Sequence, residues 1–592
     1  MHFRRLLPLA AAAFAFAAKP APKPKPVPLS PEQRSAQLIV RRMSLRDQVA
    51  QMVVAGFHGD TFSRQSPEYR KFAHLVGDLH VGGLILTNSS QYGLVRYAEP
   101  HALGVFLNQM QKLARMPLIV ASDFERGASM RVSGATRFPY AMAFSAESDP
   151  TLAEADARFE GLTAAREARA LGIHWIFAPV SDVNINPDNP VINLRSFGED
   201  PEQVSRMVAA FIDGAHSDPQ NRVLVTAKHF PGHGDTAVNS HVDLPQLSAT
   251  RERLDAVEWK PFEAAIAHGV DSIMTAHMVA PAIEPQEIPA TVSSKVVEVL
   301  REDLKFRDLI VTDAMDMQGL TRQFNNNEAA IRAVAAGDDV LLMPPDPERA
   351  IRAVVGAVES GRIPRVRIEQ SVARVVAAKI RLGLMKKKLV DLDAIADELD
   401  TPEAAERAQQ VSDRAVTLVK NVNSLVPLAR SSRPCLVVTR EVRVSATGLR
   451  MAQELQARAP GSKVVVVDSS LPLPALEAAL GDASACSAVI LETSVTASDT
   501  RTSMAMSGDL GMFAARLTEG PAPVALVSLG TPYLLASFPK AAAMLATFSP
   551  TVPSEIAAIK ALFGEIPITG RLPVTIPGLA MRGEGIQLAP RP

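Results

Sequence analysis

The sequence predicts an α/β protein in which a (β/α)8 barrel of the TIM type precedes a smaller α/β sandwich domain. Between residues 30 and 385, apolar strand-like runs alternate with amphipathic helical stretches, which is the pattern of a parallel sheet covered by helices. The eight runs lie at 52–57, 81–87, 117–123, 174–180, 223–229, 272–277, 309–313 and 339–343. Eight strands that alternate with helices suit a closed barrel, whose active sites lie at the carboxyl ends of the strands.

The second region, residues 403–592, repeats this alternation on a smaller scale. A predicted helix at 408–418 is followed by five strand-like runs, at 436–439, 464–467, 488–492, 524–529 and 544–548. Helical stretches separate these runs, so we expect a smaller α/β sandwich. The segment 386–402 is charged and has no strong periodicity, and we interpret it as the linker between a catalytic barrel at 30–385 and this domain.

The first 29 residues are predicted to be a targeting segment and a spacer. Residues 1–18 combine a positively charged start, an apolar run and an Ala-x-Ala pattern at Ala15–Ala17, which is typical of a signal peptide. Residues 19–29 alternate Pro with Lys, Ala or Val, as an extended spacer does. The apolar run is too short to cross a bilayer. We therefore expect an exported protein, periplasmic or secreted and without membrane insertion, with an uncleaved apolar tail as the alternative.

The composition excludes several classes of protein. Of 592 residues, 47% are hydrophobic, and 62 basic side chains balance 63 acidic ones to give a net charge of −1. Such a balance gives no basis for a nucleic-acid or membrane-surface partner. The two cysteines, Cys435 and Cys486, each precede an apolar run. They are predicted to be small buried residues rather than a disulfide, and no metal or cofactor is expected.

Four ionisable side chains crowd the loop that follows the fifth barrel strand. The apolar run 223–227 leads into Lys228, His229, His233 and Asp235. His229 and His233 are four residues apart, as helical metal ligands are, but Pro231 and Gly232 between them exclude a helix. The favoured interpretation is proton transfer by His233, held and polarised by Asp235. A histidine that only satisfies local hydrogen bonds is the remaining alternative.

Residues 228–236, Lys-His-Phe-Pro-Gly-His-Gly-Asp-Thr, resemble the motif of family 3 glycoside hydrolases in their bacterial β-N-acetylglucosaminidase (β-N-acetylhexosaminidase) branch. The resemblance implies a (β/α)8 barrel with His233 as the acid/base and Asp235 as its partner. It also implies that Lys228 and His229 bind the substrate. In the β-glucosidase branch the acid/base carboxylate comes from the second domain, where Glu492 and Glu519 are loosely placed candidates.

Further polar residues follow other barrel strands. Asp123 and Glu125 match the family's Asp-x-Glu-Gly-Gly-Arg pattern, but the double glycine is absent and Arg131 is only a candidate for its arginine. The run from Ala178 to Asp200 resembles the family pattern and implies that Arg195 faces the substrate; alternatively Arg195 fixes its own loop through Asp182 or Glu199. His277, after the sixth strand, either lines the pocket or is a hydrogen-bonded structural histidine.

The seventh strand run delivers Asp313 at its carboxyl end, which would put a carboxylate at the mouth of the barrel. In the family this position is the nucleophile. The alternative is an aspartate that caps the next helix, a role also open to Asp316. A Trp usually follows the nucleophile in the β-glucosidase branch, and Ala314 stands here, which leaves room for an N-acetyl group.

The residues and the resemblance together predict an exo-acting, retaining β-N-acetylglucosaminidase with Asp313 as nucleophile. Its substrates would be peptidoglycan fragments or chitin oligosaccharides, both of which end in this sugar. A β-glucosidase and an N-acetylglucosaminide phosphorylase are the alternatives within the family. A sugar-binding protein without catalysis is the alternative outside the enzymes.

Overall fold

The computed structural model describes residues 29–59, 63–91 and 94–591. The predicted signal peptide, residues 1–18, and all but the last residue of the predicted spacer, 19–29, lie outside the described residues. None of the helices in the described ranges is long and apolar enough to cross a membrane.

The described residues confirm the predicted barrel. Its eight parallel strands are hydrogen-bonded in the order β10-β1-β2-β5-β6-β7-β8-β9, and the bridge between Val311 and Val340 brings the two ends together. The sheet is therefore nearly closed. A short exposed hairpin, β3–β4, was not predicted because its strands have only two residues each. The strands of this half are β1 (Val53–Phe57), β2 (Gly83–Leu86), β3 (Ser90–Gln91), β4 (Leu94–Val95), β5 (Ile119–Ser122), β6 (Trp175–Ile176), β7 (Leu224–Phe230), β8 (Ser272–Thr275), β9 (Leu309–Thr312) and β10 (Leu341–Leu342).

Helices cover the barrel on the outside, and local chemistry sets where several begin. Asp149 and Asp200 accept hydrogen bonds from backbone N–H groups of the first turn, and a proline follows each of them. This pairing caps the free N–H groups and fixes the first helical dihedral. The helices of this half are α1 (Pro31–Val40), α2 (Leu45–Gln51), α3 (Pro67–Gly77), α4 (Pro100–Leu113), α5 (Ala141–Ser145), α6 (Pro150–Leu171), α7 (Pro201–His216), α8 (Arg251–Arg253), α9 (Lys260–Ala267), α10 (Ser294–Glu298), α11 (Gln318–Thr321), α12 (Asn326–Ala336), α13 (Pro347–Glu359) and α14 (Arg365–Arg381).

A second, mostly parallel sheet follows, with an apolar core on each face. Its order is β11-β16-β15-β14-β12-β13, and β11 runs antiparallel to β16. The strands are β11 (Thr417–Asn421), β12 (Cys435–Arg440), β13 (Val464–Asp468), β14 (Val489–Thr493), β15 (Val524–Ser528) and β16 (Ala543–Ala546). The helices are α15 (Ile395–Glu398), α16 (Pro402–Ala415), α17 (Leu449–Arg458), α18 (Leu473–Ser484), α19 (Leu510–Thr518) and α20 (Val552–Leu562).

Two predictions for this region were wrong. The helix expected at 408–418 ends at Ala415, and Thr417–Asn421 form an edge strand instead, because pairing with β16 overrides the amphipathic pattern. Cys435 and Cys486 form a disulfide, with their Cα atoms 6.0 Å apart. The two cysteines are 51 residues apart in the sequence, so no local pattern indicated that they pair. Folding brings the residues together because β12 and β14 are neighbours in the sheet.

The two halves of the chain are joined by polar contacts. Arg582 contacts Asp200 at 2.6 Å, and Glu199 accepts hydrogen bonds from the backbone and hydroxyl of Thr575 at 2.8 and 2.7 Å. The Tyr533 hydroxyl lies 3.0 Å from the amide nitrogen of Asn184 in a barrel loop. These contacts place the second sheet beside the mouth of the barrel. The residue limits predicted for the domains and the linker stay predictions.

Candidate active site

Polar side chains gather at the carboxyl ends of the barrel strands, where this fold places its active sites. Asp123 follows β5, Lys228 and His229 belong to the end of β7, and Asp313 follows β9. Each strand is fully buried and mostly apolar up to this point. The hydrophobic core therefore fixes the backbone from which these side chains project.

Asp123 and Glu125 are held by cations from three other parts of the barrel. Lys228 Nζ lies 2.9 Å from Asp123 Oδ1 and 2.7 Å from Glu125 Oε1. Arg131 contacts Asp123 at 3.0 Å, and Arg195 binds both oxygens of Glu125, at 2.7 and 2.9 Å. The structure thus brings together four of the predicted substrate-binding residues. Arg195 pairs with Glu125 rather than with Asp182 or Glu199, the alternatives weighed from the sequence.

This ionic cluster keeps its groups charged in a buried place. Burial opposes the charge on Glu125, but Arg195 and Lys228 outweigh it and hold the pKa of that carboxyl well below its usual range. Burial likewise opposes the charge on Lys228, and Asp123 and Glu125 reverse the effect, so the pKa of Lys228 is raised. Charged groups that are fixed before a ligand arrives can bind sugar hydroxyls without reorganisation.

Asp182, after β6, organises the histidine loop and was not predicted as a site residue. Its carboxylate lies 2.8 Å from His229 Nδ1 and accepts the backbone N–H of His233 at 2.6 Å. The other ring nitrogen of His229, Nε2, lies 3.4 Å from the Arg195 guanidinium. His229 is thereby joined to the ionic cluster. The position of Asp182 at a strand end was the available signal, since an unpaired carboxylate there would be costly to bury.

Asp313 lies among three histidines. Burial raises its pKa, but the positive charge that His229, His277 and His241 can carry, together with the N–H of Ala314 2.7 Å from Oδ1, lowers the pKa overall. Its carboxylate is therefore ionised over the whole range near neutrality. An ionised carboxylate at the mouth of the barrel is what nucleophilic attack on a glycoside requires.

His277 supports the backbone next to Asp313. Its Nε2 donates to the Ala314 carbonyl at 2.9 Å and its Nδ1 lies 2.9 Å from the Thr291 hydroxyl, and the residue is fully buried. Both ring nitrogens are thus occupied by protein groups. This arrangement favours the hydrogen-bonded structural alternative over direct contact with a substrate.

His233 is enclosed by the protein. Its Nδ1 lies 2.7 Å from the Thr236 hydroxyl and its Nε2 lies 3.0 Å from the Ser240 hydroxyl. Burial lowers the pKa of His233 to about 4, although the charge of Asp182 opposes the shift. The imidazole is therefore neutral near pH 7 and both of its nitrogens have partners.

The predicted pair of His233 with Asp235 is not formed among the described contacts. Asp235 pairs with Arg253 at 3.5 Å and is about one-third exposed, at 35% of its side chain. Gly234 lies against the backbone of Val183, where a Cβ would be 1.8 Å from the carbonyl oxygen, so no side chain fits at this position. The proton-transfer role proposed for His233 stays a prediction.

A further histidine, His241, was missed as a site residue. Its Nδ1 lies 3.1 Å from the amide oxygen of Asn239. Burial lowers its pKa, whereas the charges of Asp313 and of Asp499 in the second domain raise it. His241 is therefore in the electrostatic reach of the predicted nucleophile. Asn239-Ser240-His241 follows the histidine loop directly, and a histidine two residues after a side-chain acceptor was the signal available.

Glu492 does not lie at the mouth of the barrel. It is a fully buried residue of β14 in the second sheet, where its carboxylate accepts the backbone N–H of Thr439 at 3.2 Å. Burial raises the pKa of Glu492 well above its usual value. In the described part of the chain, no group of three or more His, Cys, Asp or Glu side chains is arranged around a common metal position.

The comparisons with known proteins agree with this geometry. Residues 44–378 match the model of the glycosyl hydrolase family 3 N terminal domain. A beta-N-acetylglucosaminidase/beta-glucosidase of Cellulomonas fimi is 30% identical over 387 residues, which are 63% of this chain and 64% of that protein. A beta-hexosaminidase A of Pseudoalteromonas piscicida is 31% identical over 60% of this chain and 62% of its own length. The alignments thus span less than two thirds of these two relatives.

A solved structure extends the likeness to the second domain. The glycoside hydrolase family 3 beta-N-acetylglucosaminidase of Paenibacillus sp. str. FPU-7 superposes with a TM-score of 0.78 at 31% identity, over 90% of this chain and 98% of that one. The family model covers more than half of the chain, and the barrel it describes carries the polar cluster. The chain therefore belongs to glycosyl hydrolase family 3.

Proposed function

We propose that the protein is an exo-acting, retaining β-N-acetylglucosaminidase. The observation that carries this proposal is the position of Asp313 directly after β9, at the mouth of the barrel, where Oδ1 accepts the Ala314 N–H at 2.7 Å. His229, His277 and His241 act on its charge. A carboxylate kept charged beside groups that exchange protons is the combination that glycoside hydrolysis by double displacement uses. The names of the two curated relatives and of the Paenibacillus structure support the substrate class.

In the proposed reaction Asp313 attacks the anomeric carbon, and the glycosidic bond to the leaving oxygen breaks as the glycosyl–enzyme forms. A histidine in its imidazolium form donates the proton on its free ring nitrogen to that oxygen. The neutral imidazole then accepts a proton at the same nitrogen from the incoming water, which breaks the bond between the sugar and Asp313 and restores the imidazolium. The geometry favours His241 for this role, because Asn239 occupies its Nδ1 and leaves Nε2 for the reaction. His233, the residue predicted from the sequence, has both nitrogens bound to hydroxyls.

The ionic cluster would bind the terminal sugar. Asp123 and Glu125 offer carboxylate oxygens, and Lys228, Arg131 and Arg195 offer N–H donors. Groups of both kinds are needed to bind sugar hydroxyls, which donate and accept hydrogen bonds.

Hydrolysis is favoured over phosphorolysis by the pairing of these cations. Lys228, Arg131 and Arg195 are each committed to a carboxylate within 3.0 Å. A phosphate dianion would have to compete for them with Asp123 and Glu125. A β-glucosidase activity is the second candidate, because the Cellulomonas fimi relative carries both activities in its name. The presence of both Asp313 at the strand end and His241 in the neighbouring loop argues against a sugar-binding protein without catalysis.

We further propose that the protein is exported and acts on peptidoglycan fragments or chitin oligosaccharides. The disulfide between Cys435 and Cys486 supports export, because such bridges form and persist in oxidising compartments. The positively charged and apolar start of the sequence supports it independently.

The test compares two nitrophenyl glycosides on the purified protein, the β-N-acetylglucosaminide and the β-glucoside. We expect kcat/KM to be larger for the N-acetylated substrate by at least about a hundredfold. Each factor of ten corresponds to about 1.4 kcal/mol of differential binding in the transition state. Equal values would favour the dual activity, and turnover of neither substrate would refute the proposal. A second assay adds phosphate as an alternative acceptor and measures sugar 1-phosphate. Formation of that product would indicate phosphorolysis rather than hydrolysis.

A further inference from the structure

The loop that carries His241 is covered by a segment of the second domain, residues 494–507, here called the capping loop. Asn239 connects the two: its amide nitrogen donates to the backbone carbonyls of Ser498 at 2.9 Å and Arg501 at 2.8 Å. Its amide oxygen accepts the backbone N–H of His241 at 3.0 Å and lies 3.1 Å from His241 Nδ1. Asn239 is itself 2% exposed. A buried side chain thus joins the second domain to the histidine.

These contacts leave one orientation for the amide of Asn239. Backbone carbonyls only accept hydrogen bonds, so the atom that faces Ser498 and Arg501 must be the NH2 group. The oxygen then faces His241, and because it only accepts, Nδ1 of His241 must carry the hydrogen. The capping loop therefore determines the imidazole tautomer through Asn239. Nε2 is left with a lone pair that can take up and release a proton.

The capping loop also accounts for an amide rather than a carboxylate at residue 239. An aspartate would bring an anionic oxygen to about the distance now held by the NH2 group, opposite the carbonyl oxygens of Ser498 and Arg501. Unpaired oxygen–oxygen contacts of this kind are costly in a buried place. The carbonyl acceptors of the second domain therefore require the NH2 donor that Asn239 supplies.

Side-chain contacts hold the capping loop in its place. The guanidinium of Arg501 pairs with Glu441 at 2.7 Å and donates to the carbonyls of Ser503 and Ala505 at 3.2 and 2.8 Å. The hydroxyl of Ser507 donates to the same Glu441 carboxylate at 2.5 Å. Arg501 and Glu441 are 15% and 16% exposed. The Arg501–Glu441 pair attaches the loop to the end of β12, and the hydrogen bonds to Ser503 and Ala505 are within the loop. Together they hold the carbonyls of Ser498 and Arg501 towards Asn239.

The barrel holds the other side of the histidine loop. Gly319, in the segment after Asp313, donates its N–H to the Ser240 carbonyl at 3.2 Å, and a Cβ on Gly319 would lie 2.9 Å from that oxygen. The Ser240 hydroxyl lies 3.0 Å from His233 Nε2. His241 is therefore placed between a barrel surface near the nucleophile and the capping loop.

We propose that the second domain takes part in proton transfer by positioning His241, with Asn239 as the positioning residue and the capping loop as its support. This inference rests on the proposed function, in which His241 moves the proton. Asp499, which lies in the same loop, adds a negative charge that acts on the imidazole. The second domain thus contributes through backbone carbonyls rather than through a carboxylic acid of its own.

The test uses the full chain with Arg501→Ala and Asn239→Ala, alone and together. Turnover is measured on the disaccharide of two β-linked N-acetylglucosamines and on its nitrophenyl analogue. Each single variant should lose about tenfold or more in kcat on the disaccharide and much less on the nitrophenyl glycoside, which needs little protonation. The double variant should be no worse than Asn239→Ala, because residues of one arrangement are not additive. Additive losses, or equal losses on both substrates, would overturn the proposal.

A matched control breaks another contact between the two halves of the chain. Arg582→Ala removes the pair with Asp200 without touching the capping loop, and should leave the ratio of the two activities unchanged. If Arg582→Ala changes the ratio as Arg501→Ala does, general loosening of the domains explains the effect and the specific role of Asn239 is refuted.

A readout without activity separates this inference from the proposed function. Hydrogen exchange of peptides from 494–507 should rise in Asn239→Ala and in Asn239→Asp, and exchange of peptides from 236–243 should rise in Arg501→Ala. Unchanged protection in all three variants would refute the coupling. If protection changes as expected but His241→Ala keeps full activity on the disaccharide, the coupling stands and the role of His241 in the proposed function fails.

Discussion

Thr236 Oγ1 lies 2.7 Å from Nδ1 of His233, the histidine for which the sequence predicts the Asp235 carboxylate as partner. A hydroxyl does not stabilise an imidazolium as a carboxylate does, and burial lowers the pKa of His233 to about 4. Burial lowers the pKa of His241 as well, but the negative charges of Asp313 and Asp499 oppose that shift, and only one of its ring nitrogens is hydrogen-bonded to Asn239. His241 is therefore better suited to proton transfer than His233, and substituting each histidine in turn tests this difference.

His241→Ala should lose activity chiefly on substrates with poor leaving groups. A sugar hydroxyl needs a proton to depart and nitrophenolate does not, so kcat on the disaccharide should fall about 10²- to 10⁴-fold and on the nitrophenyl glycoside far less. Added azide should speed turnover of the nitrophenyl glycoside and give a β-glycosyl azide. His233→Ala should reduce both activities alike. If the two variants exchange these patterns, His233 is the proton-transfer group.

Asp313→Asn should abolish turnover without unfolding the protein, because the change is nearly isosteric. A loss of at least about 10⁴-fold in kcat is expected if the carboxylate forms the glycosyl–enzyme. A fluorinated sugar that traps this intermediate should label the peptide that contains Asp313. Label on Asp316 or Asp123 would contradict the assignment, and Asp316→Asn serves as the matched control for a neighbouring carboxylate.

Acidification should destabilise the folded protein through His233. Its pKa is about 4 in the folded state and about 6.5 in the unfolded chain, so the unfolded state binds the proton more tightly. The stability from the neutral imidazole is complete above the unfolded pKa and is lost as pH falls towards 4. The loss is about 1.4 kcal/mol per pH unit, or about 3 kcal/mol in all.

Urea unfolding between pH 7 and 4.5 measures this effect. His233→Gln should flatten the dependence of the unfolding free energy on pH, whatever its stability at pH 7. Burial also lowers the pKa values of His241 and His277, so part of the dependence should remain. An unaltered slope in His233→Gln would show that His233 is not the buried neutral group described here.

Glu125→Gln should weaken both substrate binding and stability. It leaves Arg195 and Lys228 with incomplete partners in a buried place, and breaking such a pair costs about 3–5 kcal/mol. The melting temperature and KM for the nitrophenyl substrate measure the two effects. Arg206→Ala, which removes an ion pair with Glu154 between half-exposed side chains, is the control and should cost less than about 1 kcal/mol. Similar costs for both variants would contradict the buried cluster.

Replacing Cys435 and Cys486 by serine should destabilise the second domain. The bridge spans 51 residues, and loop closure of that length contributes about 4 kcal/mol in the chain-entropy model. Denaturant unfolding with and without a reducing agent measures it. The wild-type protein should lose stability on reduction and the serine variant should not respond. Two free thiols, found by alkylation and mass analysis in protein isolated from the cell envelope or the medium, would refute the bridge and weaken the proposal of export.

The barrel was predictable because its strands are apolar on both faces and therefore read as continuous runs. The same runs located Asp123, Lys228 and Asp313, since strand ends carry the polar residues. The disulfide and β11 depend on pairing between distant segments, which leaves no local pattern. The partner of His233 was predicted from closeness in sequence, whereas in the structure Asp235 pairs with Arg253 and the Thr236 hydroxyl contacts His233.

The role of the second domain could not be predicted from the sequence for a related reason. Asn239 is hydrogen-bonded to the backbone carbonyls of Ser498 and Arg501. Every residue type has a backbone carbonyl, so the identity of these two residues does not indicate the contact. The spacing of more than 250 residues between the partners adds no signal. His241, on the other hand, lies only two residues from Asn239, so the contact between these two side chains could have been predicted from the local sequence.

The ionic cluster has a consequence for binding in salt solutions. Its two carboxylates, Asp123 and Glu125, are paired within 3.0 Å with three cations, Lys228, Arg131 and Arg195. A neutral sugar that enters such a site displaces few counterions, so its affinity depends little on ionic strength. Groups that are already paired with one another can therefore recognise an uncharged sugar at low and at high salt concentration alike.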